Sequence, residues 1–299
     1  MVNGAYLRDQ LVFTSAIANV STHCCTHPRD RRGYEYESPT HAIQFVRSGV
    51  FGRVAGSVRE IADPTVVLFS KPRTTYRYFH PADGGDNCVI IRPSLPTLSR
   101  LLDGMFPSIL ACFSHTSTRV SPRCGLLVSE LLQQLSCSDS MICVEETLLH
   151  LVQELVRQIS NKSSQDLRPP MRQSRRHRRD LTEDVKTLVI RTFPKPPSLG
   201  QLAITLNHSP AYISRIFSSE CGISIRKYIT HLRLRAATTL MEQGNLDLSA
   251  VGTDCGFYDQ SHFTREFVRF YGISPSVYRR NLAAVGQNRT RQYNLSSLA

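Results

Sequence analysis

Two stretches of this chain repeat one arrangement of punctuation and apolar residues, and that repeat limits the fold more than any other feature. LNHSPAYISRIFSSECGISIRKY, from Leu206 to Tyr228, holds a turn, Ser-Pro, a run with apolar residues at helical spacing, and Gly222. GFYDQSHFTREFVRFYGISPSVYRR, from Gly256 to Arg280, holds Gly-Phe, Asp259, a second such run, Gly272 and Ser-Pro. Ser, Asp and Pro at a helix start, and Gly just past its end, satisfy the backbone groups that a helix leaves open. Each repeat therefore predicts a short helix, a tight turn and a second short helix.

In the first unit, 198–221, Ser198 caps a helix burying Leu199, Leu202, Ala203 and Leu206. Asn207-His208 makes the turn, where Asn tolerates the left-handed backbone. Ser209 and Pro210 then open a helix over 210–221 that buries Ile213, Ile216 and Phe217. In the second unit, 246–271, Leu246, Leu248, Val251 and Cys255 bury a helix capped by Asp247 or Ser249. Asp259 caps the helix over 259–271, whose Phe263, Phe267 and Phe270 share the inward face. Between the units, Ser224 to Gln243 reads as one helix of roughly 30 Å, with Arg226, Lys227, Arg233 and Arg235 outside its apolar stripe.

Helix, tight turn, helix is the plan whose second helix fits a DNA major groove. The positions left outside are Ala211, Tyr212, Ser214 and Arg215 in the first unit. In the second they are Gln260, Ser261, His262, Arg265 and Arg269. Gln suits adenine, and Arg suits guanine or phosphate. A rod of ~30 Å nearly matches one DNA turn of ~34 Å, so both heads are expected in successive major grooves of one duplex face.

Charge points the same way. Of 36 Lys and Arg and 24 Asp and Glu, residues 1–156 hold 14 and 14, leaving 22 and 10 for residues 157–299. The whole excess of +12 lies in the second part, which favours a polyanionic partner there. The nine Cys include no CxxC, so neither a disulfide framework nor a zinc ribbon is expected. No apolar run approaches the ~18 residues of a membrane span. The start, LRDQLVFTSAIANV, is too short and too interrupted for a signal peptide. A cytoplasmic protein without a membrane partner is expected.

Upstream the period changes. Residues 1–40 read as irregular. From His41 to about Ser94, short β-branched and aromatic runs alternate with Gly, Pro and Asp, as in an antiparallel barrel or sandwich. Two amphipathic helices follow, one around Leu126–Leu135 and one over VEETLLHLVQELVRQI, expected to pack on the barrel or to pair in a dimer. Residues 161–180, with Pro169-Pro170 and Arg172, Arg175, Arg176, Arg178 and Arg179, read as a basic linker, extended or disordered. Residues 283–299 read as a flexible tail.

The stretch from Ser198 to Arg280 resembles the AraC/XylS family of bacterial transcription regulators, chiefly in SPAYISRIF, GISIRKYITHLRLRAA and GFYDQSHFTREFVRFYGISPSVYR. The resemblance implies base contacts from Ala211, Ser214 and Arg215, then from Gln260, Ser261, His262 and Arg265. Gly252 stands where the family usually has Ala, and Asn207-His208 replaces a more usual Gly-containing turn. Small residues at 211 and 214 shift the expected readout towards the second unit or DNA shape. Residues 1–160 resemble the cupin-like sensor and dimerisation domains of the family, through FVRSGVFGR and HPADGGDNC. Metal-binding cupins supply an HxH pair, which is absent, so no metal centre and no cofactor are expected. His23, His27, His41 and His80 read as surface or satisfied core residues.

The expected fold is α+β and multi-domain: an N-terminal cupin-like antiparallel β-barrel with helices (1–160), the linker, and a C-terminal all-α double helix-turn-helix domain (181–282). The expected function is sequence-specific DNA binding by a transcription regulator, an activator rather than an enzyme. Its partners are promoter DNA and RNA polymerase, with an N-terminal domain that senses a small-molecule effector or holds a homodimer. The alternative is a metal- or redox-dependent N-terminal domain, an enzyme or a sensor using Cys24 and Cys25, fused to a DNA-binding anchor.

Overall fold

The computed structural model describes residues 7–26, 30–56, 58–82, 85–101, 106–137, 141–163, 172–244 and 246–282. The tail at 283–299 and Pro169-Pro170 of the linker lie outside these residues.

The N-terminal part opens with nine strands: β1 (Leu7–Thr14), β2 (Ala18–Cys25), β3 (Asp30–Ser38), β4 (Ala42–Gly49), β5 (Phe51–Ala55), β6 (Val58–Ala62), β7 (Val66–Ser70), β8 (Thr74–His80) and β9 (Asp86–Pro93). Helices α1 (Leu95–Leu101) and α2 (Phe106–Cys112) follow, then β10 (Ser117–Arg119), α3 (Pro122–Cys137) and α4 (Met141–Ser163). Six strands form one sheet in the order β1-β2-β9-β4-β7-β10, and four form a second in the order β3-β8-β5-β6. Every pairing is antiparallel. Val46, Leu68 and Cys88 of the larger sheet pack against Phe51 and Ala62 of the smaller one. The expected sheet-rich fold is therefore present.

Residues 1–40 are not irregular among the described residues: they supply β1, β2 and β3. β1 and β3 are edge strands. Edges are protected by charge, and LRDQLVFT and DRRGYEYES carry it, which breaks the apolar runs that flag interior strands. β2 lies inside the sheet, yet its apolar residues are few; its pairing with β9 places it there.

The two amphipathic helices are longer than expected, at 16 and 23 residues. Leu127, Val128 and Leu131 of α3 join Val144, Leu148, Leu151, Val152 and Leu155 of α4 over Val20, Phe45, Val67, Val89 and Ile91 of the large sheet. Packing on the sheet thus accounts for their shared apolar face.

The C-terminal part is helical: α5 (Arg172–Arg191), α6 (Leu199–Leu206), α7 (Pro210–Cys221), α8 (Ile225–Gln243), α9 (Leu248–Asp254), α10 (Gln260–Tyr271) and a last helical stretch at 275–282. The basic stretch expected to be extended is helical from Arg172 onwards. α5 buries Leu181, Val185 and Val189, and its Arg-rich start continues the same turns because Arg and Gln are good helix formers.

Several polar contacts tie the parts together, among them those of Tyr228, Glu183 and Arg235. Tyr228 of α8 donates to buried Asp63 at 2.9 Å. Glu183 of α5 accepts from the Ile61 backbone N–H of β6 at 2.6 Å. Arg235 of α8 donates to the carbonyls of Val120 and Ser121 at 3.1 and 2.9 Å.

Candidate nucleic-acid interface

Local sequence sets each helix of the two units. Ser198 caps α6 in a capping box with Gln201, and Asn207 ends it in the left-handed conformation at φ 54°, ψ 46°. Ser209 accepts from the Tyr212 backbone N–H at 3.2 Å, with Pro210 in the first turn of α7. Asp247, rather than Ser249, caps α9 by accepting from Ala250 N–H at 2.6 Å. Asp259 caps α10 by accepting from His262 N–H at 2.6 Å. Each of these caps fixes where its helix begins, and so which residues occupy its first turn.

The cores below are separate. Ile213 and Phe217 of α7 pack with Leu202, Val185, Val189, Ile225 and Tyr228. Phe263 and Phe267 of α10 are fully buried with Val251, Leu234 and Ala237. Phe270, expected to be inward with them, is only partly buried and lies against His231, ring centroids 4.4 Å apart. Gly252 faces Phe263: a Cβ there would stand 3.2 Å from the Phe263 Cβ. A methyl group there would be tight, and the Phe263 side chain would have to give way by a few tenths of an ångström.

Above these cores, Ala211, Arg215, Gln260, Ser261, Arg265 and Arg269 are exposed, while Tyr212, Ser214 and His262 are half-buried. Arg215 lies over the Tyr212 ring at 5.6 Å, which holds both side chains on the outer surface of α7. Arg269 is paired with Glu266 one turn earlier at 2.9 Å, so part of its charge is spent within α10. Ser214 of α7 and His262, Glu266 and Arg269 of α10 line one groove of about 1270 Å³. The helix α8 forms its floor with Arg226, Lys227, His231 and Arg233, and Arg119 joins from the N-terminal part. The structure thus brings the inner edges of α7 and α10 to a common basic groove and leaves Ala211, Tyr212, Arg215, Gln260, Ser261 and Arg265 outside its lining.

His231 is neutral in this setting: burial, then Arg235, Arg119 and Lys227, push its pKa down to about 4. The groove's charge therefore comes from Arg and Lys.

Two features escape sequence reasoning. Tyr258 is 92% exposed directly before the Asp259 cap, and its signal is an aromatic residue at a position where the apolar period needs none. Arg235, expected outside with its neighbours, is 7% exposed and sits over the Phe270 and Tyr271 rings at 5.4 and 5.7 Å. Its long stem lets an arginine run through an apolar seam to two carbonyls.

A family model described as a helix-turn-helix domain matches residues 202–281. The Msm operon regulatory protein of Streptococcus mutans is 28% identical over 98 residues, 33% of this chain and 35% of that protein. The first curated relatives are matched over about a third of their own length, with coverage such as 35% and 34%. The probable transcriptional regulator LumQ of Photobacterium leiognathi is 24% identical across 77% of this chain and 88% of its own. Among solved structures, ToxT from Vibrio cholerae aligns over 89% of this chain and 97% of its own at 15% identity, with a TM-score of 0.34. The family model, together with the twin capped units, identifies residues 202–281 as a helix-turn-helix domain similar to those of AraC-type regulators.

Proposed function

We propose that the chain is a transcription regulator that binds promoter DNA with α7 and α10 in successive major grooves, under the influence of its sheet-rich N-terminal part. The observation that carries this reading is the placement of two capped helices at either end of α8, with exposed first turns and inner edges lining a groove rich in Arg and Lys. The 19 residues of α8 span roughly 28 Å, close to the ~34 Å of a DNA turn. Arg215, Gln260, Ser261 and Arg265 would read base edges, with Ala211 and Ser214 packing close to the duplex. Arg226, Lys227 and Arg233 would meet phosphates, which position the protein without reading sequence.

The polar ties between the two parts support a dependence on the N-terminal part. An effector that altered that part would change how the two heads are held, which is a coupling between sites. Activation, with RNA polymerase as partner, is the sense of regulation favoured by the family resemblance.

The test is a gel shift of the full chain on DNA flanking its own gene, followed over several salt concentrations. Arg265→Ala should cost ~1–3 kcal/mol on the specific site and relax preference at one base pair. Lys227→Ala should weaken all DNA alike and reduce the salt slope by about one. An unchanged affinity for Arg265→Ala at every salt concentration would remove α10 as a reading helix.

A further inference from the structure

One end of the N-terminal sheets gathers three metal-ligating side chains. Cys25 ends β2, His80 ends β8 and Asp86 opens β9. All three are buried, and one donor atom from each (thiol sulfur, imidazole nitrogen, carboxylate oxygen) lies within 4.8 Å of the other two. His80 Nε2 is 3.1 Å from Asp86 Oδ1. The buried thiol of Cys88 donates to the other carboxylate oxygen, Asp86 Oδ2, at 3.1 Å.

The backbone is shaped to close this cluster. Cys25 is the direct cross-strand partner of Asp86, and Gly49 flanks Asp86 on the other side. Gly85 has φ +65°, and a Cβ there would stand 1.8 Å from the Cys25 carbonyl oxygen. Gly49 has φ +76°, and a Cβ there would stand 2.1 Å from the Gly85 carbonyl oxygen. Only glycine permits this backbone and this approach. Two glycines thus draw β2, β4 and β9 together where Cys25 and Asp86 meet His80.

We infer that Cys25, His80 and Asp86 bind a borderline divalent cation of the zinc class. Metal–ligand distances of ~2.0–2.3 Å place tetrahedral donors about 3.5 Å apart, so the cluster reaches that geometry by small side-chain rotations. A thiolate beside an imidazole selects zinc-like ions over magnesium or calcium, which take oxygen ligands. Cys25 enters as thiolate, and its proton leaves to solvent. Cys88 holds the far oxygen of Asp86, the kind of outer contact that orients a ligating carboxylate. Three protein ligands leave a fourth position for water or an exogenous donor, as in exchangeable rather than closed zinc sites. The ligands come from three strands, so no local motif announces them. The absence of an HxH pair excludes the cupin arrangement and not this one.

The full-length chain, stripped by a chelator and kept reduced, is titrated with Co²⁺ and then Zn²⁺. One equivalent of Co²⁺ should produce a thiolate-to-cobalt charge-transfer band, and Zn²⁺ should abolish it. Cys25→Ser should remove the band. Cys88→Ser should keep it while weakening affinity ~10–100-fold. Cys24→Ser, next in the strand and directed to its opposite face, should change neither. Circular dichroism of each variant reports folding. Lack of a charge-transfer band in the folded wild-type chain overturns the site whatever the variants do, as does a band that persists in Cys25→Ser.

Discussion

His231 shows how one side chain can be read for its charge from its surroundings. It lies against Phe270 within the groove, and burial followed by Arg235, Arg119 and Lys227 lowers its pKa to about 4. The unfolded imidazole titrates near ~6.5. Between these values the unfolded chain binds a proton that the folded one refuses, so stability falls as pH drops from about 6.5 towards 4. His231→Phe keeps the ring contact and removes the titration. The expected outcome is a flatter stability curve across that window, measured by denaturant midpoints at a series of pH values. DNA affinity should carry no step from His231 between pH 6.5 and 8, because the group is neutral throughout. Arg235 is the residue that the sequence hides best. It follows Leu234 in a run of alternating Arg, and nothing in HLRLRAA separates a solvated arginine from a buried one. Only the N-terminal part of the same chain, which supplies the carbonyls of Val120 and Ser121, decides it.

Elements were most legible where their boundaries rest on local chemistry. Ser209, Asp259, Gly222 and Gly272 fix the ends of α7 and α10 through contacts within a few residues, so the sequence places these helices closely. The edge strands are hidden because charged residues interrupt the apolar runs of β1 and β3, and because β3 takes its register from β8, distant in the chain. The start of α5 was missed for the opposite reason: a run of Arg looks like a linker although each residue favours a helix. Its Arg178 is held by Glu220 of α7 at 3.0 Å. The local caps carry a prediction. Asp259→Ala deprives the His262 N–H of its acceptor and should cost ~0.5–2 kcal/mol of stability. Since the frayed turn holds Gln260, Ser261 and His262, specific DNA binding should fall by more than binding to random DNA. Chemical denaturation and paired gel shifts measure the two effects.

At the scale of the whole molecule, the N-terminal part grips each helix-turn-helix unit separately. Asp63 and β6 hold the first unit through Tyr228 and Glu183. The second is held through α3, whose Leu126 packs beside the core of α10, and through Arg47 of β4, which pairs with Glu242 at the end of α8. Arg235 joins both grips near the middle of α8. Arg235→Met would leave two carbonyls without their donor and should cost ~1–3 kcal/mol in thermal unfolding of the full chain. The same residue explains Gly125 in α3: a Cβ there would fall 1.3 Å from Arg235 Nη1. Gly125→Ala should therefore reproduce most of the Arg235→Met loss, and the double variant should lose much less than the sum of the two. Position 125 works as a keyhole: the Arg235 guanidinium occupies the place that a side chain at 125 would take. A methyl group there would displace that key and loosen the chain's two parts from each other without touching α7 or α10.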